Sequence, residues 1–316
     1  MLFHEFPCLL LDIKVYKGNL FLDCMIIDLL RHGPKNNDPE AHQTGVEALL
    51  DPEKFYVIKD HARRVIKITP DNYEIQIITT PIPRSIATGQ LEYEVIKRSR
   101  QETPEPKINA LIGSSGCHPE TGDAVNLVPR SMSKIWTDAK KLESYQGQQG
   151  ENKPLYAWFE QGLDNRQSWL SDKPETWNPQ DPGISLREIA WRIGAFFYET
   201  LTSYDERTRV MAFGHSGDIE PWLALTLQMY AGKDDGVSGT TIESMKEIFT
   251  QIGGALEPLS GVTLDNSWDS EIYLRLTTKS QISIDTNILE EQSRLFRNHG
   301  LSNKVLMARL ALNPKK

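Results

Sequence analysis

Cysteine is scarce in this chain, with three in 316 residues: Cys8, Cys24 and Cys117. An odd number without metal-ligand spacing implies neither a disulfide framework nor a zinc site, and it fits a reducing, cytoplasmic setting. Positive charge is also in deficit. Lys and Arg number 35 against 43 Asp and Glu, giving a formal net charge of −8 and a pI near 5.5. That argues against a broad basic face for nucleic acid, although a few arginines can focus field in one cleft and hold a small anion. Long hydrophobic runs are missing as well, so no membrane span is expected. Residues 1–24 are apolar only in patches and carry His4, Glu5, Asp12, Lys14, Lys17 and Asp23, which makes them a poor signal peptide. There is no internal repeat and no low-complexity tract, and the glycine-rich stretch 101–150 holds no loop of the P-loop type.

What is present is an ordinary mixture, 25% charged and 39% hydrophobic, long enough for one large core or a core with a side module. The organising stretch is residues 25–35. Its short apolar run fits a buried central strand and ends abruptly in Arg31-His32-Gly33. Ligands of open α/β sheets bind where strands leave the sheet. There a guanidinium suits the oxygens of a phosphate, an imidazole can attack its phosphorus, and Gly33 would let the backbone approach the ligand. Upstream, residues 1–24 are either an added hairpin turning at Lys17-Gly18-Asn19 or an extension ahead of Met25.

The rest of the chain alternates between strand and helix patterns. Thr44 with Glu47 reads as a capped helix start, and Asp51-Pro52 opens a helix running to about residue 66. A strand over residues 73–80 runs into Thr80-Pro81-Ile82-Pro83-Arg84-Ser85, and a helix follows over 85–98. Arg84 thus sits at a strand-to-helix junction, where free amides also favour an anion. Residues 101–150 read as an insertion or lid, with an apolar stretch at 108–112 and helix near 131–142. A short aromatic helix at 155–161 follows, with Trp158, Trp169 and Trp177 expected to pack beneath the lid. Residues 185–203 form an amphipathic helix capped by Ser185, Glu188 completing a capping box. A strand over 210–213 ends in Gly214-His215-Ser216-Gly217, and a helix covers 219–230. A turn at 232–239, a helix at 240–252, strands at 262–264 and 271–277, and helices at 285–299 and 301–312 complete the expectation.

Three of these segments together resemble the histidine phosphatase superfamily, also called phosphoglycerate mutase-like. They are Leu30-Arg31-His32-Gly33, the stretch from Thr80 through Arg84 to Thr88, similar to S-x-x-x-R-x-x-x-T, and Gly214-His215-Ser216-Gly217-Asp218-Ile219, similar to G-H-x-G-x-I. A fourth, Pro182-Gly183-Ile184-Ser185-Leu186 followed by Arg192, is like P-G-G-E-S-L and its later arginine. The resemblance, from about residue 25 to 276, implies a three-layer α/β/α fold with a mostly parallel central sheet. It makes His32 the nucleophile that takes the phosphoryl group. Arg31, Arg84 and a protonated His215 would bind its oxygens, with Ser216 beside them. One His32 nitrogen would donate to a backbone carbonyl such as that of Gly33, leaving the other free to attack. No cofactor or metal is implied, and the partner is a small phosphorylated substrate rather than nucleic acid or membrane. Residues 25–316 then form one domain with an insertion or lid at about 100–180.

Two positions depart from the family pattern. Asp38 stands where the mutase branch has an asparagine, with Asn36 and Asn37 out of register, and Ala110 stands where a glutamate should supply the leaving-group proton. Glu143, Glu120, Asp123, Asp218 and Glu160 are the substitutes considered. Glu160 is preferred because its aromatic neighbours would raise its pKa and keep it protonated. The expected function is phosphomonoester hydrolysis through phosphohistidine. The alternatives are a phosphoglycerate-type mutase, in which Lys35 would help hold a carboxylate, and a protein that binds a phosphorylated ligand without turnover.

Overall fold

The computed structural model describes residues 24–35, 50–150, 152–164, 180–232, 250, 254–268, 271–276 and 281–312. The N-terminal extension up to residue 23, Asp38 with Asn36 and Asn37, the Thr44 cap, the expected helix at 240–252 apart from residue 250, nearly all of the turn before it, Trp169 and Trp177 lie outside the described residues.

A central sheet of seven strands carries the fold. In chain order these are β1 (Ile26–Arg31), β2 (Glu74–Thr79), β3 (Lys107–Ile108), β6 (Thr208–Gly214), β7 (Gly261–Trp268), β8 (Glu271–Leu276) and β9 (Gln281–Ile284). Two further strands, β4 (Ser115–Cys117) and β5 (Ala124–Asn126), form a separate antiparallel ribbon. The sheet order is β3-β2-β6-β1-β7-β8-β9. The first four strands pair in parallel. The last three add in antiparallel fashion, so β8 runs with β1, and five of the seven strands point one way. The sheet is therefore mostly parallel, with an antiparallel margin. Because β3 pairs with β2, the stretch expected as an insertion begins inside the sheet.

Side-chain alternation along the central strands divides the core into two. Ile27, Leu29, Ile78, Val210 and Ala212 face one cluster, and Leu30, Ile75, Ile77, Met211 and Phe213 face the other. The second layer consists of α1 (Phe55–Ile68) and α2 (Pro83–Ser99). The first contains α3 (Arg130–Lys141), α4 (Asn152–Asp164), α5 (Leu186–Ser203), α6 (Ile219–Tyr230), α7 (Thr286–His299) and α8 (Ser302–Leu312). Helices thus cover both faces, as expected of an α/β/α arrangement.

Helix α5 lies at the centre of the first layer, buried on nearly every side, and α6 and α7 pack against it. Gly194 permits that approach: a Cβ there would stand 2.5 Å from the Cβ of Gln292. Gln292 is itself fully buried, accepting from Trp222 Nε1 at 3.1 Å and donating to Thr226 Oγ1 at 3.1 Å. Ser185 caps α5, its Oγ accepting from the Glu188 amide at 3.0 Å. The Glu188 carboxylate does not close a capping box, however. It turns to the first amides of α8, accepting from Leu301 N at 2.8 Å and Ser302 N at 2.7 Å, where the helix end favours an anion.

Candidate active site

The site forms at the carboxyl ends of β2, β6 and β1, which lie side by side. Backbone bonds tie the three exits together. His32 N donates to Gly214 O at 3.0 Å, and Thr80 N to Phe213 O at 3.4 Å. Ser85 Oγ donates to Phe213 O at 2.6 Å and accepts from Thr80 N at 2.9 Å. Thr88 Oγ1 accepts from Gly33 N at 2.9 Å and donates to Arg84 O at 2.8 Å, so the end of β1 is pinned to the first turn of α2. Gly33 also meets a packing need. A Cβ there would come within 2.5 Å of Ile58 Cδ1 and 3.3 Å of Thr88 Oγ1, so its close approach is to α1 and α2.

Both histidines reach the same place. Their ring centroids are 4.8 Å apart, tilted by 54°. His32 Nδ1 lies 2.7 Å from Gly33 O, which fixes the tautomer: Nδ1–H donates and Nε2 keeps its lone pair. His215 Nε2 lies 3.1 Å from Thr80 Oγ1. Burial, then the charge of Arg84, then those of Arg31 and Lys35 push His32 down to about 3, against the raising effect of the Gly33 carbonyl. His215 is held well below the usual imidazole range by burial, by His32 and by the cations Arg84 and Arg31. Both rings are thus biased toward the neutral form as the site stands. The protonated His215 that the resemblance implies belongs to the phosphate-bound state. A dianion set among these groups would reverse the charge term and favour protonation.

Arg31 is anchored from below. Its Nη1 donates to Leu256 O at 2.6 Å, while its backbone pairs with Ser260 O and Leu259 N. Ser216 Oγ donates to Glu220 Oε1 at 2.9 Å, so its proton is engaged within the protein. Past His215 the chain turns through Gly217, whose φ of +92° is in the left-handed region that favours glycine. A Cβ at Gly217 would meet Trp158 Cζ3 at 3.0 Å and Trp136 Cζ3 at 3.3 Å. The two indoles stand edge to face at 5.6 Å, so α3 and α4 close over the His215 turn.

Helix α4 presents Trp158 to that turn and points Glu160 elsewhere. Residues two apart on a helix diverge by about 200°. Glu160 instead shares a face with Tyr156, and its Oε2 accepts from Tyr145 O–H at 2.8 Å. The charges that act most strongly on the two imidazoles are cationic. Asp218 is fully buried against Gly113, accepts from Ser114 N at 3.2 Å, and is pushed up to about 7 chiefly by burial. Glu220, which sequence reasoning passed over as a carboxylate in the first turn of a helix, is 1% exposed and bonded to two loops. Arg192 lies behind the site. It donates to Ala110 O, to Ser115 O at 2.8 Å and to Ser302 Oγ at 3.2 Å, steadying the segment in which Ala110 stands.

No family model and no curated protein matches the chain. Solved structures do. A mycobacterial glucosyl-3-phosphoglycerate phosphatase is 15% identical, with 76% of this chain and 89% of that chain covered, at a TM-score of 0.40. Phosphoglycerate mutase from Plasmodium falciparum is 13% identical, with 82% and 99% covered, at 0.34. Phosphoserine phosphatase from Entamoeba histolytica is 10% identical, with 84% and 98% covered, at 0.34. With values this low, function has to be read from the side chains of this chain itself.

Proposed function

We propose that the protein is a phosphomonoester hydrolase working through a phosphohistidine at His32, with a small phosphorylated molecule as substrate. One observation carries the reading: two imidazoles 4.8 Å apart, at the ends of neighbouring parallel strands, with Arg84 and Arg31 acting on both. Neutral His32 attacks phosphorus through Nε2 as the ester P–O bond breaks, and the Nδ1–H bond to the Gly33 carbonyl stabilises the imidazolium that develops. Arg31, Arg84 and His215 hold the three equatorial oxygens, where the charge of the transferring group accumulates. Water then attacks the phosphorus, the P–N bond breaks, and inorganic phosphate leaves. The departing alkoxide takes its proton from solvent water, and Glu160 is not proposed as the source because α4 pairs it with Tyr145. A cytoplasmic setting is proposed for this chemistry on the scarcity of cysteine in the sequence.

The test is hydrolysis of p-nitrophenyl phosphate by the parent and by His32→Ala, with mass spectrometry for acid-labile phosphate on the parent. Turnover and a phosphohistidine that both vanish in the variant are expected. Parent-like turnover by His32→Ala would remove the nucleophile from the scheme, and phosphate binding without turnover would favour the ligand-binding alternative. The mutase reading keeps one supporting observation, the charge of Lys35 acting on His32. It predicts activity that depends on a bisphosphate primer.

A further inference from the structure

We infer that Glu220 is a positioning residue that locks the His215 turn and Arg31 into one anion-binding unit. This rests on the phosphatase reading. Glu220 is a buried carboxylate for which the proposed chemistry has no direct use. Its Oε2 accepts from Gly217 N at 2.7 Å, and its Oε1 accepts from Ser216 Oγ at 2.9 Å and Leu256 N at 3.1 Å. The first two bonds fix the turn that follows His215. The third fixes the peptide of Leu256, whose carbonyl receives Arg31 Nη1 at 2.6 Å. The strap over residues 254–260 is held at both ends. Ala255 N donates to Asn152 Oδ1 at 2.8 Å at the start of α4, and the backbone of Arg31 pairs with Leu259 and Ser260.

The arrangement explains why a carboxylate is kept in so dry a place. Burial raises its pKa, and the hydrogen bonds it accepts oppose that. Two acceptor oxygens meet three donors from two separate segments, which no apolar side chain could do. A shift of either loop would displace one of the groups that hold the phosphoryl oxygens, and a displacement of about 1 Å can cost about 100-fold in rate. Glu220 itself touches no reacting atom.

Glu220→Gln keeps the shape and one acceptor but sets an amide N–H against an N–H donor. Glu220→Ala removes the link. The readouts are the KM for p-nitrophenyl phosphate, the inhibition constant of inorganic phosphate and the melting temperature, with Asp28→Asn at the far end of the sheet as a destabilised control. The inference expects Glu220→Gln to raise KM and the phosphate constant together, by about 10- to 100-fold. It expects Asp28→Asn to lower the melting temperature with phosphate affinity unchanged. The Glu220→Gln effect should also shrink when Arg31→Ala is already present, because both act on the same anion contact. A folded Glu220→Gln with parental phosphate affinity overturns the inference alone, provided His32→Ala still abolishes turnover. A parent that shows neither turnover nor phosphate binding by calorimetry overturns the inference together with the reading beneath it.

Discussion

At the scale of single residues, the protonation of His32 leads to two expectations. Its pKa of about 3 lies far below the unfolded value of 6.5, so between those limits the unfolded chain binds a proton that the folded chain refuses. Stability from this residue is therefore complete above pH 6.5 and is lost as pH falls toward 3, at about 1.4 kcal/mol per pH unit. His215 adds in the same direction, whereas Asp218, raised to about 7, works against it. Comparing variants cancels these shared terms. In urea titrations between pH 6 and 4, His32→Asn, which keeps a donor near the Gly33 carbonyl, should lose stability less steeply than the parent. Equal slopes would mean that His32 titrates normally. The second expectation concerns Ala110 and the cationic surroundings of the imidazoles. With no carboxylate at position 110 to protonate the leaving group, kcat should fall steeply from p-nitrophenyl phosphate to alkyl phosphates, whose alkoxides need a proton. Similar kcat values across such a series would reveal a general acid already in place.

At the scale of elements, what was legible in the sequence follows from local pattern. The strands β1, β2 and β6 were readable because each is a bounded apolar run, and the candidate site residues after β1 and β6 stood out because a histidine and a glycine stand where the run stops. The helices over 83–99, 186–203 and 219–230 were readable, the second of them from its apolar face and its Ser185 cap. The two-residue β3, the ribbon β4–β5 and the strand β9 were not, since so few residues set no period of their own and neighbouring strands supply their pairing. The facing of α4 was also hidden, because sequence shows that Trp158 and Glu160 share a helix but not which of them meets the His215 turn. Gly194 is a further case: in sequence it is a weak point in a helix, and in the fold it is where α5 meets Gln292 of α7. Alanine at this position gains about 1 kcal/mol of helix propensity. The overpacking against Gln292 should cost about 1–3 kcal/mol. Gly194→Ala should therefore show a lowered urea midpoint with an unchanged slope, and a raised midpoint would mean that the helices separate easily.

At the scale of the molecule, the two ends of the parallel strands do different work. The carboxyl ends gather the histidines and arginines. Toward the opposite end a buried ion pair joins adjacent strands: Arg209 Nε donates to Asp28 Oδ2 at 2.7 Å, and Thr263 Oγ1 donates to Asp28 Oδ1 at 2.7 Å. Such a pair adds little net stability over apolar packing, but removing one member strands a buried charge. Asp28→Ala should accordingly cost about 3–5 kcal/mol, while Asp28→Leu combined with Arg209→Met should recover most of that loss. Neither change touches the three strand exits, so KM for p-nitrophenyl phosphate should stay at the parental value in every variant that remains folded. If the site instead loses affinity in step with stability, then its geometry is set by the tension of the whole sheet. If affinity holds while stability falls, the loops at the strand exits are fixed locally, through Thr88, Ser85 and Glu220.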